Sequence, residues 1–229
     1  MKIIVSDFDN TFFDSAFKKN IDRINKFVKD GNMFIIATGR NMQQLQHEIY
    51  DKNISCEYYI CNDGAAIYDH DLNIIYRKDI KPEVVKPIFQ ILNSEPDILE
   101  VYIDTTNGYV TDCYRACNKL VAKPFDKINA QKLLSSILKK YPDVNGYLSE
   151  NWININDKSV SKGNAIEYLK KYFNLNSNDI YTIGDNINDL SMMKNYNSFA
   201  IKNNPNIQYN SKYTVNSFAQ FLDKVKSDL

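Results

Sequence analysis

Apolar residues gather first in a short β-branched run, Lys2 to Ser6, that ends abruptly in acids. This is the pattern of a buried parallel strand whose carboxyl end opens onto a site. Ile21, Ile24 and Val28 recur at helical spacing before Gly31, and Met33 to Ala37 supplies a second buried strand that stops at Thr38-Gly39-Arg40. Leu45 and Ile49 predict another helix, Tyr58 to Cys61 another strand, and Asn62-Asp63-Gly64 the turn after it. Ala65 to Tyr68 and Ile74 to Arg77, flanking Asp69-His70-Asp71, predict a hairpin.

From about Lys81 to Asp157 the pattern changes. A helix around Val84 to Leu92, alternating segments at Leu99 to Ile103 and Tyr109 to Asp112, a helix from Ala130 to Tyr141, and short strands at Gly146 to Ser149 and Trp152 to Asn156 follow one another. Helix, hairpin, helix, hairpin is the order of a small α+β layer, here a four-stranded antiparallel sheet with two helices. The α/β rhythm then resumes, with a helix from Lys162 to Phe173, a strand from Ile180 to Ile183, a loop at Gly184-Asp185, a helix from about Asp189, a strand near Phe199 to Ile201 and a terminal helix from Phe218 to Val225. The expected fold class is α/β: a Rossmann-like main domain of residues 1–80 and 158–229 interrupted by an inserted α+β domain of residues 81–157.

Composition narrows the function classes. The 229 residues are 44% hydrophobic and 24% charged, with 28 basic and 28 acidic side chains. These proportions fit a folded soluble protein, and no basic run marks a nucleic-acid or membrane surface. Cys56, Cys61, Cys113 and Cys117 contain no CxxC pair and read as reduced thiols; the last two are four apart, as on one helix face. The opening MKIIVSDFDN reaches acids too soon for a signal-peptide core, so a cytoplasmic location is the expectation.

The chemistry starts at Asp7-Phe8-Asp9-Asn10-Thr11. Alternation along a still-extended chain puts Asp7 and Asp9 on one side. A carboxylate is a competent nucleophile for making an aspartyl phosphate, and a second acid two residues on can protonate a leaving alcohol and later activate water. An isolated DxD reads equally well as a solvated turn capping the next helix. Gly184-Asp185-Asn186-Ile187-Asn188-Asp189 supplies further carboxylates after another buried strand, and strand ends of this kind gather into one crevice. Clustered carboxylates repel strongly enough to call for a hard cation, and magnesium fits better than calcium. Thr38 and Lys162 add a hydroxyl and a positive charge suited to a phosphoryl group, although each also serves ordinary capping or surface roles.

Taken in order, Asp-x-Asp-x-Thr, Thr-Gly-Arg, Lys-Gly and Gly-Asp-x-x-Asn-Asp resemble the four motifs of the haloacid dehalogenase superfamily, specifically its Cof-like phosphatases with an α/β cap. The resemblance spans the chain. It implies a Mg²⁺-dependent phosphatase acting on a small-molecule phosphate monoester such as a sugar phosphate or phosphoglycolate. Asp7 is then nucleophile and metal ligand, Asp9 acid and base with a backbone carbonyl on the metal, and Asp185 and Asp189 the further metal residues. Thr11, Thr38, Gly39, Arg40, Lys162 and Asn188 become phosphate or substrate contacts. Phosphotransfer to a sugar hydroxyl, as in a phosphomutase, and a non-enzymatic phospho-receiver are the alternatives. Two positions depart from the family pattern: Asn10 stands where glycine is usual and must accept a positive φ, and Asp63 interrupts what is usually a bare Asn-Gly turn. Spacing gives Tyr102, Arg115 and Lys119 of the insertion no position relative to the pocket.

Overall fold

The computed structural model describes residues 1–106, 108–111, 117–149, 151–201 and 205–227. Its first half runs β1 (Ile3–Asp7), α1 (Phe17–Lys29), β2 (Met33–Ala37), α2 (Met42–Ile49), β3 (Tyr58–Cys61), β4 (Ala66–Asp69) and β5 (Ile74–Arg77). The insertion follows as α3 (Pro82–Ser94), β6 (Ile98–Thr105), β7 (Gly108–Val110), β8 (Lys119–Pro124), α4 (Lys127–Lys140), β9 (Val144–Ser149) and β10 (Trp152–Asp157). The chain closes with α5 (Lys162–Tyr172), β11 (Ile180–Gly184), α6 (Leu190–Met193), β12 (Asn197–Ile201), α7 (Pro205–Gln208), β13 (Tyr213–Val215) and α8 (Phe218–Lys226).

Local sequence explains most boundaries. Helix α1 buries Ile21, Ile24 and Phe27 along one stripe and stops at Gly31, whose φ of 87° is open to glycine without penalty. Helix α2 starts in a capping box in which Asn41 and Gln44 satisfy each other's backbone amides. Ser161 caps α5 by accepting from the Asn164 amide.

Two sheets result. The main one has eight strands in the order β13-β12-β11-β1-β2-β3-β4-β5, parallel from β13 to β3 and antiparallel across the β4-β5 hairpin. One face packs Phe12, Phe27, Phe34 and Phe218 under α1 and α8, and the other packs Ile166, Leu169, Met192 and Met193 from α5 and α6. The chain builds outward from β1 in both directions, so β1 and β11 flank the point where strand order reverses, the place where open α/β sheets bind ligands.

The second sheet is β7-β6-β8-β10-β9, antiparallel throughout, backed by α3 and α4 over a separate core around Ile103, Leu134 and Ile155. It has five strands where four were expected. The missing one, β8, is central, and its sequence KLVAKP hides it: the two lysines and the proline read as a loop, yet Lys119 is buried. Elements β13 and α7 were also not predicted. Asp112, Cys113 and Arg115 lie outside the described residues, while Cys117 sits in an isolated antiparallel bridge to Ile80 rather than on a helix. Cys56, Cys61 and Cys117 are buried free thiols. No helix among the described residues is long and apolar enough to cross a membrane.

Candidate active site

Parallel pairing of β1 with β11 brings their carboxyl ends side by side, and with them Asp7 and the 184–189 loop. Asp7, Asp185 and Asp189 each offer a carboxylate oxygen within 4.8 Å of the others. Lys162, at the first turn of α5 and fully buried, donates from Nζ to Asp7 Oδ1 and to Asp189 Oδ1, both at 2.6 Å. The other Asp189 oxygen accepts from the amides of Asp185 and Asn186, each at 3.0 Å. Asp189 is therefore committed to holding Lys162 and its own loop. Gly184 makes this possible, since a Cβ there would lie 2.4 Å from Asp189 Oδ2.

The electrostatics leave the cluster short of positive charge. Burial, then repulsion from Asp189, push the Asp7 carboxyl well above its usual range, and Lys162 offsets only part of this. Burial and Asp189 likewise raise Asp185. Burial works against the Lys162 ammonium, but Asp189 and Asp7 more than compensate and its pKa is raised. Three carboxylates against one ammonium, all with oxygen donors, fit a hard divalent cation.

The remaining predicted residues fall around this cluster. Thr11 Oγ1 donates to Asp185 Oδ1 at 3.2 Å, so it faces a carboxylate rather than open space. Asn10 adopts φ 58°, as its position required. Thr38 is buried at the end of β2, where its Oγ1 accepts from the Arg40 amide at 3.1 Å; a hydroxyl that accepts one bond can still donate its own proton. Gly39 presents its carbonyl to Lys119 Nζ at 2.7 Å. Asn188 donates from Nδ2 to Asp63 Oδ1 at 3.0 Å. Arg40, expected as a substrate contact, lines the space between the two sheets and already has partners of its own. Its guanidinium pairs with both oxygens of Asp9 and with Glu48, and lies over the Phe8 and Phe13 rings, because two carboxylates and two aromatic faces already surround it.

A cavity of about 690 Å³ lies between the two sheets. Asp7, Asp9, Arg40, Asp185 and Asn188 line it from the main sheet, and Tyr102, Asp104, Lys119, Tyr147, Trp152 and Asn154 from the second. Tyr102 and Lys119 thus both reach the pocket. Asp104, Tyr147, Trp152 and Asn154 were not singled out from the sequence. Their signal was only the alternation of β6, β9 and β10, which sends every second residue toward the main sheet. Tyr102 packs against both Tyr109 and Trp152, giving the roof an aromatic surface.

Acids at the switch point of a parallel sheet, a buried lysine bound to two of them and a roof from an inserted sheet define a phosphoryl-transfer enzyme of the α/β class. A family model of haloacid dehalogenase-like hydrolases matches residues 4–119 and 114–220. The chain belongs to that family of hydrolases. It is 27% identical over 260 residues to an uncharacterised protein of Mycoplasma capricolum, covering 94% of this chain and 97% of that one. It is also 27% identical to a provisionally named phosphatase of Buchnera aphidicola, with 97% of each covered. Among solved structures, a haloacid dehalogenase-like hydrolase from B. subtilis superposes with a TM-score of 0.86 at 17% identity over 100% of both chains. A subclass IIB sugar phosphatase superposes with a TM-score of 0.81 at 15% identity, over 100% of this chain and 99% of that one.

Proposed function

We propose that this chain hydrolyses a small-molecule phosphate monoester in the cytoplasm through a phosphoaspartate on Asp7. The observation that carries the reading is the buried contact of Lys162 with Asp7 beside Asp185, on the floor of the covered cavity. In the first half-reaction an Asp7 oxygen attacks phosphorus in line and the bond from phosphorus to the ester oxygen breaks. Asp9 gives that oxygen its proton, so the alcohol leaves neutral. In the second, water attacks the same phosphorus as Asp9 takes up one of its protons, and cleavage of the bond to Asp7 releases inorganic phosphate. Lys162 balances the equatorial oxygens, while Thr38 and the Gly39 loop hold them.

Asp7 and Asp185, with the Asp9 carbonyl, are the residues that would hold Mg²⁺, and Asp189 anchors Lys162 and the loop behind them. Bound there, the ion supplies positive charge to the transferring phosphoryl oxygens. The aromatic roof of Tyr102, Tyr109 and Trp152 beside Asn154 suits a hydroxylated leaving group such as a sugar, which is also what the structurally similar subclass IIB enzyme is named for. The buried free thiols suit a reducing compartment.

Phosphate release from a panel of monoesters, with Mg²⁺ and with chelator, tests the reading alongside Asp7→Asn. Turnover that needs both Mg²⁺ and Asp7 supports it. Normal turnover by Asp7→Asn would show that no phosphoaspartate forms, and isomer formation in place of phosphate release would favour phosphotransfer.

A further inference from the structure

Asp63 is an acid at the turn after β3, outside the metal cluster, and only 4% exposed. Its Oδ1 accepts from Asn188 Nδ2 at 3.0 Å, and its Oδ2 accepts from Lys119 Nζ at 3.0 Å and from the Tyr147 hydroxyl at 2.8 Å. Lys119, itself 3% exposed, donates from the same Nζ to the Gly39 carbonyl. Asn188 and Gly39 belong to loops of the main sheet, whereas Lys119 and Tyr147 belong to strands β8 and β9 of the second. One carboxylate therefore joins both halves of the cavity. An ion pair this deep tolerates its desolvation only while all its partners are in place.

The turn that carries Asp63 is built to transmit its position. Asn62 and Asp63 both lie in the left-handed region, at φ 51° and 59°, a conformation kept only where the surroundings over-determine it. Gly64 packs so tightly on the start of α5 that a Cβ there would sit 2.3 Å from the Ser161 carbonyl oxygen. Asn62 is held from the second sheet too: Asn156 Nδ2 donates to its carbonyl and its own Nδ2 donates to Asn118. Displacing this turn moves Asn188, the Gly39 loop and the residue before Lys162 together.

We propose that Asp63 is a positioning residue that couples docking of the second sheet to the geometry of the phosphate-binding loops, so that turnover falls when a leaving group keeps Lys119 and Tyr147 from reaching it. This rests on the phosphatase reading above. Lys119 and Tyr147 line the same cavity that must hold the leaving group. A small alcohol leaves both in place. A bulky one pushes them outward, unpairs Asp63 and loosens Asn188, and the penalty falls on kcat rather than on binding.

The test uses the full chain with Mg²⁺ and two aryl esters of similar leaving-group acidity and different size, p-nitrophenyl phosphate and 4-methylumbelliferyl phosphate. Wild type should show a lower kcat for the larger ester. Tyr147→Phe, Lys119→Met and Asp63→Asn should each lower kcat for the smaller ester roughly 10- to 100-fold, because misplacement of about 1 Å has that effect. KM should move less than about threefold, since ground-state binding is not what is lost. The kcat ratio between the two esters should collapse toward one. Tyr147→Phe, which removes one oxygen, guards against a variant that fails to fold. Folded variants with wild-type kcat, or an unchanged ester ratio, would overturn the proposal. X-ray scattering gives a readout independent of activity: Lys119→Met should enlarge the radius of gyration of the ligand-free protein, and an unchanged value would sink the coupling. Failure of wild type to cleave any ester would instead discredit the phosphatase reading, with scattering still deciding the coupling.

Discussion

Arg40 grips the carboxylate of Asp9 with two nitrogens, Nε to Oδ2 at 2.9 Å and Nη2 to Oδ1 at 2.7 Å. Glu48 holds the far side of the guanidinium at 2.9 Å, so the proposed acid and base is aimed by a fixed fork rather than left to rotate. Arg40→Met should lower kcat/KM by roughly 10- to 100-fold through misorientation of Asp9. Arg40→Lys should restore little of it, because an ammonium cannot match two carboxylate oxygens at once. Steady-state kinetics of the two variants check this, and full rescue by lysine would reduce the role of Arg40 to its charge.

Asp9→Asn removes the proton donor and leaves the nucleophile. Rapid-quench experiments should show Asp7 phosphorylation slowed by roughly 10²- to 10⁴-fold, the usual contribution of general acid catalysis. Dephosphorylation should slow as well, since the same group serves both halves of the reaction. A variant that phosphorylates and turns over at wild-type rates would remove Asp9 from the mechanism.

Lys162→Met leaves Asp7 and Asp189 buried together without their ammonium. Breaking a buried pair in this way costs about 3–5 kcal/mol. In a chain of this size that lowers Tm by on the order of 10 °C. Calorimetry measures the shift, and added Mg²⁺ should restore part of it by bringing back positive charge.

The acid cluster also fixes how stability depends on pH. In the metal-free protein the raised Asp7 and Asp185 carboxyls keep protons at pH values where the unfolded chain has lost them. The native state thus binds more protons than the unfolded one, and its stability falls as pH rises from the ordinary carboxylate value of 3.8 toward the raised ones. Mg²⁺ competes with those protons. Its stabilisation, followed as the difference in Tm with and without the ion, should grow from about pH 5 to about pH 8, the span in which folded proteins are usually most stable. A difference that stayed flat or shrank with pH would separate the cation from these carboxylates.

Gly184→Ala places a methyl group against Asp189, 2.4 Å from Oδ2 and 2.6 Å from Cβ. The loop must shift, with a loss of about 1–3 kcal/mol as for other overpacked sites. Because Asp189 positions Lys162, activity should fall by more than stability alone accounts for. Comparing kcat well below the melting transition separates the two.

The sequence carried the main-sheet acids clearly. Asp7 and Asp185 each follow a buried β-branched strand, and the switch point at β1 and β11 does the rest. Lys162 was legible through its order among the motifs rather than through its surroundings. What stayed hidden depends on pairing across distance. Lys119 and Asp63 are 56 residues apart, so the charge that makes β8 read as a loop is neutralised by a partner no local window contains. The grip of Arg40 on Asp9 stayed hidden for the same reason, its partner lying 31 residues back. The aromatic roof was unreadable because Tyr102, Tyr109 and Trp152 come from three different strands of the insertion.

The chain crosses between its two sheets only at Lys78–Lys81 and Lys158–Ser161, four residues each way. Both crossings are tied down: Asn118 Nδ2 donates to the Lys78 carbonyl, and Asn145 Nδ2 donates to the carbonyls of Lys158 and Val160. The two straps lie side by side, with Lys78 Nζ 3.7 Å from Asp157 Oδ2, so any lifting of the roof turns about this one edge. Alcohol and phosphate then pass at the rim opposite that edge, so how far the roof lifts there bounds the size of what can enter and leave.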